Sequence, residues 1–308
     1  MDTMRHLFLT FFFLFTVTMH SQCFDCGKSI GGWTSDTAVA IEKTTDGIVY
    51  LVDSDGFVGS RIIKYDFNCN ELWSINFGDV YVSVQSVTSD EQGNIYLLIV
   101  NTTSTNAGLG PWNINGFNMS PGINFYKLNA AGTILWSRHI GPRTGGIMQN
   151  IHYNQNQLYV TGTFYDTLTF SNGLSFNFPY TDNPRAFIAK YDADGNFINA
   201  INFGDGEDRF KYSEFDNEGN IYLTRYKSSY SKVDKFNAAL QLSWTKVLST
   251  SNTFNQGIYI PGGIHFNNEN NKLYVWGIMN LTTTILGNTF FISNFNSDFQ
   301  SALVELNA

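Results

Sequence analysis

Along most of this chain apolar and polar positions alternate with a period of two, in short runs broken by clusters of Asp, Asn and Gly. That period puts successive side chains on opposite faces of an extended strand, so the runs predict half-buried β-strands joined by tight turns. Stripes at helical spacing are scarce. One phrase recurs: an apolar strand, an Asp/Asn turn with Gly, then Ile/Leu-Tyr-Leu/Val. Asp90-Glu-Gln-Gly93-Asn-Ile-Tyr96-Leu and Asp216-Asn-Glu-Gly219-Asn-Ile-Tyr222-Leu are close copies. Thr45-Asp46-Gly47-Ile-Val-Tyr50-Leu, Asn156-Gln-Leu-Tyr159-Val and Asn271-Lys-Leu-Tyr274-Val are looser ones. A second phrase follows. Ile63-Lys-Tyr65-Asp66 leads to Trp73-Ser-Ile-Asn-Phe77-Gly78, and Phe125-Tyr-Lys127-Leu128 leads to Trp136-Ser-Arg-His-Ile140-Gly141, with weaker echoes ending at Gly204 and Leu248.

Each unit reads as four short strands, the make-up of a propeller blade. The expected fold class is all-β, a single β-propeller of four-stranded blades, five in number. Unit five supplies three strands, around 263–266, 273–276 and 302–306. Its fourth is expected from the other end of the chain: Cys26-Gly-Lys-Ser-Ile30-Gly31 fits the Trp-Ser-x-x-Phe/Ile-Gly register with Cys26 in the Trp place. An N-terminal strand completing the last blade closes the ring and hides its edges. The connections at 101–124 and 165–184 are long, and 168–174 and 285–290 read as an extra hairpin inside units three and five.

Composition narrows the partners. The net charge is −8, with the acids scattered. Without a basic stripe there is nothing to neutralise phosphates, which excludes nucleic acid, and an acidic surface does not suit anionic lipid headgroups. After Arg5, an apolar run over 7–17 gives way to polar 19–22. It is too short to span a bilayer and matches the core of a signal peptide. Residues 1–22 are therefore expected to be a signal peptide and 23–308 a propeller domain, secreted or at the cell surface, monomeric and not inserted in a membrane. Of three cysteines, Cys23 and Cys26 form a C-x-x-C, read as a local disulfide or plain thiols rather than a redox pair, and Cys69 stands apart.

The residues that resemble a known family lie at Ala186-Phe-Ile-Ala-Lys190-Tyr-Asp-Ala-Asp-Gly195-Asn, Gly204-Asp-Gly-Glu-Asp208 and Asp216-x-x-Gly219-Asn-Ile-Tyr222-Leu-Thr224. They resemble the bacterial SBBP-type β-propeller repeat, common in exported proteins of the Bacteroidetes. The resemblance implies a secreted or surface scaffold, usually without an assigned activity. The phrase from Leu128 to Trp136 is similar to quinoprotein-type repeats, which makes a quinone-cofactor dehydrogenase a third and weaker reading.

Candidate chemistry is sparse. The sequence holds no Gly-rich phosphate cradle, H-E-x-x-H or G-x-S-x-G. Asp53-Ser-Asp55-Gly56 and Asp192-Ala-Asp194-Gly195-Asn196 look like calcium loops but lack the glycine and terminal acid that frame one, and are read as hairpin turns. One constellation stands out on the innermost strands: His152 and His265 align, and Glu42, Thr88 and Glu214 are their equivalents. Five-fold geometry would bring the five toward the central channel. Imidazoles with carboxylates suit a divalent ion such as zinc, which could activate water there. The alternative is that these side chains only hydrogen-bond across the channel. Trp112, Phe117, Tyr165, Tyr180 and Tyr226 lie in long loops or near strand ends, where they could stack on sugars or pack between blades. The expectation is a non-catalytic binding or adhesion scaffold without a cofactor, recognising a glycan or a protein surface through its loops. A metal-dependent hydrolase or lyase, acting on a polysaccharide or small ester at the channel, is the alternative.

Overall fold

The recurring Asp/Asn turn sets the local structure. In the turn at Asp90, the carboxylate accepts hydrogen bonds from the backbone N–H of Gln92 (3.1 Å) and Asn94 (2.8 Å), from Asn94 Nδ2 (2.8 Å) and from the Tyr96 hydroxyl (3.0 Å). The turn at Asp216 repeats all four, ending on the Tyr222 hydroxyl. The turn at Asp192 repeats the first three, as does that at Asp66. The fourth turn residue needs positive φ, met by Gly93 at 78° and Gly219 at 80°. These turns reverse the chain after a strand and fix the register of the next.

The computed structural model describes residues 36–54, 60–77, 82–101, 112–114, 117–141, 150–165, 167–178, 184–204, 209–250, 259–279, 283–286, 288–290 and 300–307. Among them are strands and no helix, arranged as a five-bladed β-propeller. Blade 1 is β1 (Asp36–Lys43), β2 (Ile48–Ser54), β3 (Arg61–Tyr65) and β4 (Glu71–Asn76). Blade 2 is β5 (Val82–Ser89), β6 (Ile95–Asn101), β9 (Gly122–Leu128) and β10 (Ile134–Ile140), with an inserted hairpin β7 (Trp112–Ile114) and β8 (Phe117–Met119). Blade 3 is β11 (Asn150–Asn154), β12 (Gln157–Phe164), β15 (Arg185–Asp192) and β16 (Phe197–Phe203), with an inserted hairpin β13 (Thr167–Thr169) and β14 (Ser175–Asn177). Blade 4 is β17 (Arg209–Phe215), β18 (Ile221–Lys227), β19 (Tyr230–Phe236) and β20 (Leu242–Thr250). Blade 5 has three described strands, β21 (Tyr259–Asn267), β22 (Lys272–Met279) and β25 (Gln300–Asn307), with a hairpin β23 (Thr283–Ile285) and β24 (Asn288–Phe290). All ladders are antiparallel, and the first strand of each blade lies against the first strand of the next, from β1 through β5, β11 and β17 to β21. The expected N-terminal strand of blade 5 lies outside the described residues.

The core lies between blades. Leu51, Ile62 and Val49 of blade 1 pack on Val87, Leu97 and Tyr126 of blade 2. Tyr96, Leu98 and Phe125 of blade 2 pack on Ile151, Leu158 and Val160 of blade 3, and two further clusters fill the next two seams. A polar latch recurs at three seams. Lys64, Lys127 and Lys190 each cross to the next blade and donate to a turn carbonyl, of Ala130 (3.0 Å), Ala193 (3.3 Å) and Ala238 (2.8 Å). The inserted hairpins also cross seams: Thr169 of β13 exchanges backbone bonds with Gly141 at the end of blade 2, and β23 pairs with β20 at Ser249–Ile285. Both hairpins read from the sequence are present, and blade 2 carries a third, with Asn115-Gly116 between its strands, inside the connection read as a long loop.

One register differs from the sequence reading. Thr88 pairs with Tyr96, and Tyr96 with Lys127; in blade 1 the corresponding chain is Glu42–Val49–Lys64. Val49, not Tyr50, takes the place of the repeat tyrosine, and Tyr50 turns to the other face, edge-on to Tyr65 at 6.1 Å. The first turn of blade 1 encloses one residue fewer than the Asp90 turn, which shifts the count.

Asp90→Ala removes one acceptor from four donors at a buried turn, and should cost about 2–4 kcal/mol in urea unfolding. Asp66→Ala, at a solvent-exposed turn, should cost distinctly less.

Candidate functional site

The strand registers put the five expected channel residues on one rung. Glu42, Thr88, His152, Glu214 and His265 are the cross-strand partners of Val49, Tyr96, Tyr159, Tyr222 and Tyr274. The side chains of Glu42, Thr88 and His152 turn to the neighbouring inner strand. Glu42 accepts from the Ser89 backbone N–H and hydroxyl, both at 2.8 Å. Thr88 Oγ1 accepts from the Tyr153 N–H at 3.2 Å. The His152 ring lies on Phe215, centroids 5.0 Å apart, and has a backbone hydrogen bond with Ser213. Ser89, Tyr153 and Phe215 each stand one residue after the next ring position, so the rung works as a set of bridges between adjacent blades. One rung further out, Ser86 does the same with the Ile151 N–H at 3.2 Å, and Thr161 pairs with Ser213 at 3.3 Å. His265 is exposed.

Burial governs the charges here. Desolvation raises the Glu42 carboxyl above its usual range against the pull of the Ser89 donors. It raises Glu214 to about 7 and lowers His152 to about 4. Both therefore favour their neutral forms in the folded chain. Among the described residues no three His, Cys, Asp or Glu side chains come together in an arrangement that could hold a metal ion.

The turn at Asp192 is not a calcium loop, because its carboxylate oxygens are engaged by the Asp194 and Asn196 N–H groups and Asn196 Nδ2. Asp53 and Ser54 end β2, and Asp55 and Gly56 lie outside the described residues. Of the loop aromatics, Tyr165 and Tyr226 are half-buried at the ends of the second strands of blades 3 and 4. Trp112 and Phe117 stand in β7 and β8, and Tyr180 lies outside the described residues. Tyr165, Tyr226 and the β7–β8 hairpin stand on the face of the disc where the second strands end. The opposite face carries the short, internally bonded Asp/Asn turns.

Sequence reasoning missed a buried polar cluster in blade 4. Arg225 of β18 donates to Asp234 of β19, which also accepts from Thr245 of β20. Asp234 is buried and the guanidinium nearly so. The register sets Asp234 opposite Thr245 and two residues along from the position opposite Arg225, so the cluster is seen only once three strands are placed. Cys69 is disulfide-bonded; Cys23 and Cys26 lie outside the described residues.

No family model matches the chain, and no curated protein matches it by sequence. Among solved structures it is similar to a Bacteroides caccae protein of unknown function, with 13% identity over 78% of this chain and 70% of that one and a TM-score of 0.43. An α-L-arabinofuranosidase from Lactobacillus brevis aligns at 10% identity over 86% and 88% of the two chains, TM-score 0.42. Prolyl oligopeptidase B from Galerina marginata aligns at 10% identity over 85% of this chain, TM-score 0.44, and the chain spans about a third of that enzyme, 34%.

Glu214 resists ionisation when folded, so its contribution to stability is full below its ordinary 4.5 and is lost as pH rises through about 7. His152 resists protonation, so its contribution is full above 6.5 and is lost as pH falls through about 4. The two slopes oppose each other between those values. Glu214→Gln should leave stability that rises from pH 4 to 6.5, and His152→Gln stability that falls from pH 4.5 to 7. Urea midpoints across that range check both signs.

Proposed function

We propose that this chain is an exported, non-catalytic binding scaffold that takes a glycan or a protein surface on its loop-bearing face. The observation that carries this reading is the division of labour across the disc. The inner rung of Glu42, Thr88 and His152 is spent on bridging strands, and the turn face on its own hydrogen bonds, while the inserted hairpins stand at the remaining face. Loops held by a rigid sheet scaffold are where recognition is commonly built. Tyr165 and Tyr226, each half-buried beside that face, offer flat surfaces to a sugar ring or a partner side chain. Export is supported by the apolar run over 7–17 and by the resemblance to SBBP-type repeats of exported proteins. A hydrolase or lyase reading draws only on the near-neutral Glu214.

The test is an exported-form protein starting at Cys23, immobilised and exposed to bacterial, algal and plant polysaccharides and to surface-protein extracts of known composition. Retention without new reducing ends or unsaturated products is expected, weakened roughly tenfold in Tyr165→Ala or Tyr226→Ala. Product formation that a chelator abolishes would overturn it in favour of the channel.

A further inference from the structure

Among the described residues, four seams between blades are closed alike, and the fifth shows exposed apolar side chains. Two residues beyond the repeat-tyrosine rung, Leu51 pairs with Ile62, Leu98 with Phe125, Thr161 with Ile188 and Thr224 with Val233. All eight are at 0% exposure, covered by the next blade. The same rung of blade 5 is Trp276 with Leu303, at 46% and 66% exposure. On blade 1, Ile41 sits on the face turned away from blade 2 and is 60% exposed, while its equivalents Val87, Ile151 and Ile264 are 7%, 1% and 6%. Two matching apolar faces of one chain thus stand uncovered, and burying them together makes the last seam like the others.

Cys69 shows what joins them. It is disulfide-bonded, and its only candidate partners in the chain are Cys23 and Cys26. The repeat indicates which cysteine is used. The outer-strand tryptophan of one blade lies against the fourth residue of the next blade's β3–β4-type turn. A methyl group at Gly132 would lie 2.7 Å from Trp73 Cδ2, and one at Gly195 3.0 Å from Trp136 Cη2. Trp73 also donates to the Ala130 carbonyl of that turn at 2.9 Å. In blade 1 the fourth turn residue is Cys69, with φ 62° against 80° and 75° for those glycines. Cys26 precedes Gly31 by the same five positions that separate Trp73 from Gly78 and Trp136 from Gly141.

We infer that residues 26–31 supply the fourth strand of blade 5 beside β25, and that Cys26 is bonded to Cys69 where other seams have a tryptophan on a glycine. The last seam is then covalent. The bond forms when two thiols lose two protons and two electrons to a protein or glutathione disulfide, which is reduced to thiols. It also stands where the lysine latch does not: the equivalent of Lys64, Lys127 and Lys190 in blade 5 is Glu305, which pairs with Lys272 of its own blade at 3.0 Å.

Digestion of the unreduced protein with chymotrypsin, which can cut between Phe24 and Cys26, identifies the partner by mass. A Cys26–Cys69 peptide in a monomer is expected. A Cys23–Cys69 peptide, or a Cys69 link between two copies, overturns the inference. In the wild type and Cys23→Ser, a reductant should lower Tm by on the order of 10 °C, and Cys26→Ser should be insensitive to it. The reverse pattern overturns it. Amide exchange gives a third readout on the unaltered chain: residues 27–30 should be protected in the oxidised protein, and free exchange there counts against a fourth strand.

Discussion

Each sheet in this protein is apolar on both faces, and such a sheet can only be stable when covered on both sides. A sandwich would cover one face of each sheet; a ring covers every face with its neighbour. The zero exposure of Leu51, Leu98, Thr161 and Thr224 along one rung is the direct expression of that constraint. The polar devices follow from it. Once sheets stand face to face, their inner strands come within hydrogen-bond reach, and Glu42, Thr88 and Ser86 find partners on the next strand. The lysines of the third strands bury their stems against tyrosine rings and put their charge on a neighbouring carbonyl, as Lys190 does over Tyr159 at 5.4 Å.

Much of this is legible in the sequence because strand and turn signals are local. The period-two runs, the Asp-x-x-Gly-Asn turns and the strand-four phrase each depend on a few neighbouring residues, and together they give the blade and its five-fold count. The inserted hairpins at 167–177 and 283–290 are legible for the same reason. Blade 1 shows where the method slips. Its first turn is one residue shorter, so Tyr50 reads as the repeat tyrosine although Val49 occupies that place. The hairpin of blade 2 is equally legible: Asn115-Gly116, the leading two-residue hairpin signal, stands between Trp112–Ile114 and Phe117–Met119, and it is masked only by the length of the connection around it.

The candidate site was legible as a rung and not as a chemistry. Aligning His152 with His265 finds equivalent positions, since equivalence is a matter of counting along strands. What those side chains touch depends on the rotation between blades, which no single repeat encodes. His152 faces an aromatic ring and a backbone partner rather than open water, and the carboxylate of Glu42 is already spoken for. The Arg225–Asp234–Thr245 cluster is hidden from sequence for a related reason: it needs three strands in register at once.

The inserted hairpins tie the blades together mechanically. Thr169 and Gly141 exchange backbone bonds, and Ile285 pairs with Ser249, so the hairpins of blades 3 and 5 are each joined to their own blade through the chain and to the preceding blade through one backbone pairing. A tug on either hairpin is carried into two blades, into one along the chain and into the other through that pairing. The face that holds the longest connections is thereby also the face on which an outside load is spread most widely through the disc.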